Sequence, residues 1–137
     1  MKFLTTVLCI MVVMQSAISG AADKSICQPN DSMSFFANGQ VTSCDLKELY
    51  EIGGLKCSAN SRITFFQSGR IASCVLYENF TANGIPCGDQ GTISFYPSGK
   101  LSSCTLDKNF TVDGSICIAG QMISMFENGK LRSCSEQ

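Results

Sequence analysis

Eight cysteines set at two alternating intervals constrain this chain more than any other feature. They fall at Cys27, Cys44, Cys57, Cys74, Cys87, Cys104, Cys117 and Cys134, with steps of 17 and 13 residues in alternation, so the period is 30. A fixed period of that length marks tandem copies of one supersecondary unit and has to be read before any local pattern. Four copies fit between Cys27 and the C-terminus.

Inside the 17-residue steps lie Met33-Ser34-Phe35-Phe36, Ile63-Thr64-Phe65-Phe66, Ile93-Ser94-Phe95-Tyr96 and Ile123-Ser124-Met125-Phe126. Apolar residues at the first and third places, with Ser or Thr between them, show the two-residue alternation of a strand. Turn residues follow at once: Ala37-Asn38-Gly39, Gln67-Ser68-Gly69, Pro97-Ser98-Gly99 and Glu127-Asn128-Gly129. A two-residue type I′ turn would put Ser68 and Ser98 at positive φ, which is costly for Ser. A type I turn with Pro97 second and Gly99 as a left-handed bulge fits better.

That turn sets Tyr96 opposite Lys100, Phe95 opposite Leu101 and Ile93 opposite Ser103. Ile93, Phe95 and Leu101 then share one face, the expected core, with Met33, Phe35, Val41, Ile63, Phe65, Ile71, Ile123, Met125 and Leu131 in the other units. One isolated hairpin does not hold in water, so neighbouring units must pair or stack to bury this face. The expected fold is all-β: an antiparallel meander of four tandem hairpin repeats, stapled by disulfides, with units starting near Cys27, Cys57, Cys87 and Cys117. Linkers such as Thr105 to Ile116, with Asp113-Gly114, read as a strand extension plus a second turn.

The stretches Ile93 to Leu101 and Met125 to Leu131, with Val112-Asp113-Gly114 between them, resemble the bacterial variant of the MORN repeat. The resemblance implies repeated antiparallel hairpins used as an interaction scaffold.

Eight of the nine cysteines, all but Cys9 in the apolar N-terminal segment, lie in the repeats and read as a disulfide framework. Four 17-residue steps use every one of them, whereas pairing across the 13-residue steps would strand Cys27 and Cys134 at opposite ends. The favoured pairs are therefore Cys27 with Cys44, Cys57 with Cys74, Cys87 with Cys104, and Cys117 with Cys134. In the expected register Cys104 faces Thr92, five residues past Cys87, so the chain must bend between them. Turn-prone residues lie where that bend is needed: Pro29-Asn30-Asp31, Ala59-Asn60-Ser61, Gly88 to Gly91 and Ala119-Gly120. Zinc is disfavoured as the role of these cysteines because the steps lack close ligand pairs, and Cys-x-x-Cys redox chemistry has no motif here.

Residues 1–22 have the layout of a secretory signal: Lys2, an apolar run from Phe3 to Met14, then small residues from Ser16 to Ala22. The apolar run is too short for a stable membrane span. The expected mature domain is 23–137, secreted or periplasmic. Without Lys2 it carries 9 basic residues against 11 acidic ones. That balance does not favour nucleic acid as a partner.

The chain contains no His, the commonest general base. Carboxylates such as Asp31, Asp45, Glu48, Glu51, Asp89, Asp107 and Asp113 do not recur in phase with the repeat, and a solvated role is their default. The expectation is a non-enzymatic protein without cofactor or metal that acts as an interaction or structural scaffold for a protein or glycan partner. Two alternatives stand beside it: a small secreted effector or inhibitor of another protein, and a two-carboxylate glycan or cell-wall hydrolase. Glycosylation patterns occur at Asn30, Asn79 and Asn109, where an Asn that shapes a turn is the simpler reading.

The candidate binding residues are those the register leaves opposite the core. Phe36, Phe66, Tyr96 and Phe126 recur every 30 residues, with Gln40, Arg70, Lys100 and Lys130 beside them. Such a row is either a second core layer or a contact ridge, because aromatic and Arg side chains dominate binding hot spots.

Overall fold

Each 17-residue step folds around its turn glycine. In the computed structural model, which describes residues 23–30 and 32–137, Gly39, Gly69, Gly99 and Gly129 have φ between +84° and +88°. In the third unit Gly99 N donates to Tyr96 O and Tyr96 N to Lys100 O, both at 2.8 Å. This is the type I turn followed by a left-handed residue that Pro97 and Gly99 call for. The signal-peptide expectation, on residues 1–22, lies outside the described residues, as does Asp31.

The strands in chain order are β1 (Ser34–Phe35), β2 (Val41–Asp45), β3 (Tyr50–Ile52), β4 (Leu55–Cys57), β5 (Arg62–Phe65), β6 (Ile71–Val75) and β7 (Phe80–Ala82). They continue as β8 (Ile85–Cys87), β9 (Thr92–Phe95), β10 (Leu101–Thr105), β11 (Phe110–Val112), β12 (Ser115–Cys117), β13 (Met122–Met125) and β14 (Leu131–Cys134). Eight of them form one open antiparallel sheet in the order β1-β2-β5-β6-β9-β10-β13-β14. The 13-residue steps supply the other six as three separate hairpins, β3 with β4, β7 with β8 and β11 with β12. Their tips, Gly53-Gly54, Asn83-Gly84 and Asp113-Gly114, have both residues at positive φ. That is the two-residue turn whose twist matches paired strands.

The core lies between the inner face of the sheet and these cover hairpins. From the sheet come Val41, Ile63, Phe65, Ile93, Leu101, Ile123 and Met125, all buried, and from the hairpins Leu55, Ala82 and Ile85. Leu46, Leu76 and Leu106, two residues past the second cysteine of their units, are fully buried as well. Met33, Ile71, Phe95 and Leu131 are partly buried against this cluster. Phe35 departs from the expected core and is exposed, because β1 is the outermost strand of the sheet and has a neighbour on one edge alone among the described residues.

Beyond the turn the observed register differs from the expected one. Phe95 pairs with Leu101, but Ser94 pairs with Ser103, so the ladder shifts between Leu101 and Ser103. The same irregularity recurs in the first, second and fourth units. Ile93 therefore does not face Ser103, nor Cys104 Thr92; in the fourth unit Ile123 pairs with Cys134. The cause is spacing: Val41 and Cys44, three residues apart, are both buried, and strict alternation would send one of them outward. An extra residue in the ladder restores both to the core.

The four disulfides join Cys27 to Cys44, Cys57 to Cys74, Cys87 to Cys104 and Cys117 to Cys134, each across 17 residues. Cys57, Cys87 and Cys117 end the second strands of the cover hairpins, so three of the bonds tie the cover layer to the sheet. The required bend is made at left-handed Asn60, Gln90 and Gly120. Leu76 N donates to Gly91 O at 2.9 Å and Gln90 N to Leu76 O at 2.8 Å across that bend.

Candidate functional site

Two rows of side chains follow from the sheet's register, one on the side away from the core and one at the turn edge. The first is polar. Ser34, Ser43, Thr64, Ser73, Ser94, Ser103, Ser124 and Ser133 stand opposite one another from strand to strand, across all eight strands. Neighbouring strands are ~4.8 Å apart, so the hydroxyls form a regular ladder. Thr64 Oγ1 and Ser73 Oγ are 2.6 Å apart and share a hydrogen bond. Sequence reading missed this row. Its signal was the Ser or Thr centred in each strand segment together with the Ser before each second cysteine.

The second row is aromatic and lies at the turn edge. Phe36, Phe66 and Tyr96 are half-buried and Phe126 is exposed. None of the four belongs to the hydrophobic residues packed against the core, whereas Phe65 and Met125, one position earlier, lie inside it. Because they directly follow every second strand of the sheet, the rings repeat at roughly 9–10 Å. The Tyr96 hydroxyl donates to Met125 O at 2.7 Å, which fixes that ring over the next unit. The Arg132 guanidinium lies 5.7 Å from the centroid of Phe126, within cation–π range.

The backbone N–H of each ring residue donates to the carbonyl four residues on, that of Gln40, Arg70, Lys100 or Lys130, at 2.8 Å. Arg70 Nη1 donates to Ser98 O at 2.9 Å and so bridges two turns. Lys100 and Phe126 share a cleft of about 270 Å³ with Leu101 and Met125 of the sheet and with Ile85, Phe110 and Val112 of the cover hairpins. Lys130 and Gln40 stand at the equivalent positions of the fourth and first units, Lys130 exposed and Gln40 half-buried.

Several carboxylates serve the scaffold. Asp45 pairs with Arg62 at 3.2 Å, and Glu78 with Lys56 at 2.9 Å. The hydrogen bond from Glu78, then its charge, raises the pKa of Lys56 above the ordinary lysine value. Asp113 Oδ2 accepts the backbone N–H of Leu131 at 2.7 Å. Glu48, Glu51, Asp89 and Asp107 are exposed. Among the described residues no group of three or more His, Cys, Asp or Glu side chains could hold a metal ion.

Asn79 and Asn109, which share repeat phase, have a structural task. Asn79 Oδ1 accepts from Asp89 N at 2.9 Å and Asn109 Oδ1 from Ala119 N at 2.8 Å, just past the first cysteine of the following unit. Asn30 Oδ1 likewise accepts from Ser32 N at 3.0 Å.

Comparison of the chain with models of known families, with curated proteins and with solved structures finds no match.

Proposed function

We propose that this protein is a non-enzymatic, secreted or periplasmic scaffold of MORN-like hairpin repeats, and that its contact surface is the aromatic and basic row at the turn edge with the hydroxyl ladder beside it. The observation that supports this reading is that Phe36, Phe66, Tyr96 and Phe126 recur at one repeat position and none of them is a buried member of the core cluster. A residue kept aromatic at one repeat position without serving the core is explained by contact with something else. Rings supply apolar contact, Arg70, Lys100 and Lys130 supply charge, and Ser and Thr hydroxyls both donate and accept. A surface of that kind suits an extended protein or glycan partner that meets several units in turn.

The disulfides fit an oxidising, extracytoplasmic environment. Among the described residues no helix is long and apolar enough to cross a membrane.

The test is partner capture from the native extracellular or periplasmic fraction with the mature chain and with the Phe66→Ser/Tyr96→Ser variant. The reading expects the variant to keep all four disulfides and to lose the captured partner. Equal capture by both proteins would place the contact surface elsewhere.

A further inference from the structure

Among the described residues the repeat stack is open at both ends, and its two ends complement each other. β1 and β14 are the outermost strands of the sheet, and each leaves one row of backbone groups without a strand partner among the described residues. At the head of the stack Phe35 is 49% exposed, whereas its equivalents Phe65 and Met125 are each 4% exposed and Phe95 is half-buried. At the tail Phe126 is 48% exposed, whereas its equivalents in the first three units are half-buried, and Cys134 is partly exposed where Cys44, Cys74 and Cys104 are fully buried. Terminal repeats of stacked folds normally turn a polar face outward. These ends do not.

At the turn edge two contacts run forward from one unit to the next, while Arg62 of the second unit reaches back to Ser32 O and Asp45 of the first. The Tyr96 hydroxyl reaches Met125 O in the next unit, and Arg70 reaches Ser98 O in the next turn. Phe126 and Lys130 hold the same positions in the fourth unit, where no further unit receives them among the described residues. The receiving positions, Phe35 and the Asn38 carbonyl, have no partner from another unit among the described residues. The seams between units share one register: Ser43 with Thr64 and Cys44 with Ile63, repeated as Ser73 with Ser94 and Cys74 with Ile93. Extended past the tail, that register sets Ser133 opposite Ser34 and Cys134 opposite Met33.

We propose that the partner for these ends is a second copy of the chain: β14 of one molecule adds to β1 of the next as a fifth antiparallel seam continuing the sheet. The interface is heterologous, head to tail, and it does not close on itself, so the product is an open series that lengthens with concentration. Each addition carries the hydroxyl ladder and the aromatic row into the next molecule.

The test is sedimentation of the disulfide-intact mature chain across a wide concentration range, with Phe35→Lys and Phe126→Lys as end-blocked variants. Both changes fall on half-exposed side chains, and thermal melts check that each variant folds. The wild type is expected to climb through dimer, trimer and larger species, and each variant alone to stay monomeric. Mixed together, the two variants are expected to form a dimer and nothing larger, because only the tail of Phe35→Lys and the head of Phe126→Lys remain able to join. A wild type that stays monomeric throughout overturns the proposal. So does assembly of either variant to the wild-type extent, or a mixture that shows no dimer.

Discussion

Asn83, at the tip of a cover hairpin, accepts the backbone N–H of Leu101 through Oδ1 at 2.8 Å, so the two layers are joined by a hydrogen bond as well as by a disulfide. Asp113 does the same for Leu131, while the first cover hairpin has Gly53 in that place. The position demands positive φ, which Asn and Asp tolerate. Asn83→Gly keeps that conformation and removes the acceptor. It is expected to cost about 1–2 kcal/mol, the penalty for stranding a part-buried donor. Urea melts check this, and an unchanged midpoint would mean that water serves the amide equally well.

Gly99 presents a purely conformational case. Its φ is +88°, and a Cβ built there meets only the end of the Arg70 side chain, at 3.4 Å. Gly99→Val is therefore expected to destabilise by roughly 1–2 kcal/mol through left-handed strain, whereas Ser98→Asn is expected to be tolerated. Equal stability of the two variants in chemical melts would contradict the turn assignment.

Peptide mapping without reductant is expected to recover the four bonds across the 17-residue steps and no free thiol in the mature chain. Each bond closes a short loop and contributes ~2–4 kcal/mol on a chain-entropy estimate, so reduction is expected to unfold the protein at physiological temperature. Recovery of Cys44 joined to Cys57 would overturn the unit-by-unit arrangement.

The period, the turn type and the disulfide pairs were legible because each rests on spacing that local chemistry constrains. Pro97 and Gly99 admit few turns, and four 17-residue steps use every cysteine. The bulge between Leu101 and Ser103 was not read, although Leu101 and Cys104, three residues apart and both buried, required it. Nor was the separate cover layer, because three-residue strands such as β7 and β8 carry too few residues to show alternation. Burial of Leu46, Leu76 and Leu106 depends on that layer. The hydroxyl ladder depends on register across all eight strands, which becomes readable only once the bulges are placed.

Phe65 and Phe66 offer the most direct test of the claim that one side of the sheet is core and the other is contact surface. They are adjacent in sequence and chemically identical, one buried in the core cluster and the other half-buried and outside that cluster. Phe65→Ala is expected to cost about 3–5 kcal/mol, as for a fully buried aromatic ring. Phe66→Ala is expected to cost about 1 kcal/mol, in proportion to the smaller apolar area it covers. The measurement is the pair of urea denaturation midpoints with disulfides intact. A large gap between them is the predicted result, and equal losses would show that the aromatic row is a second core layer and no contact surface.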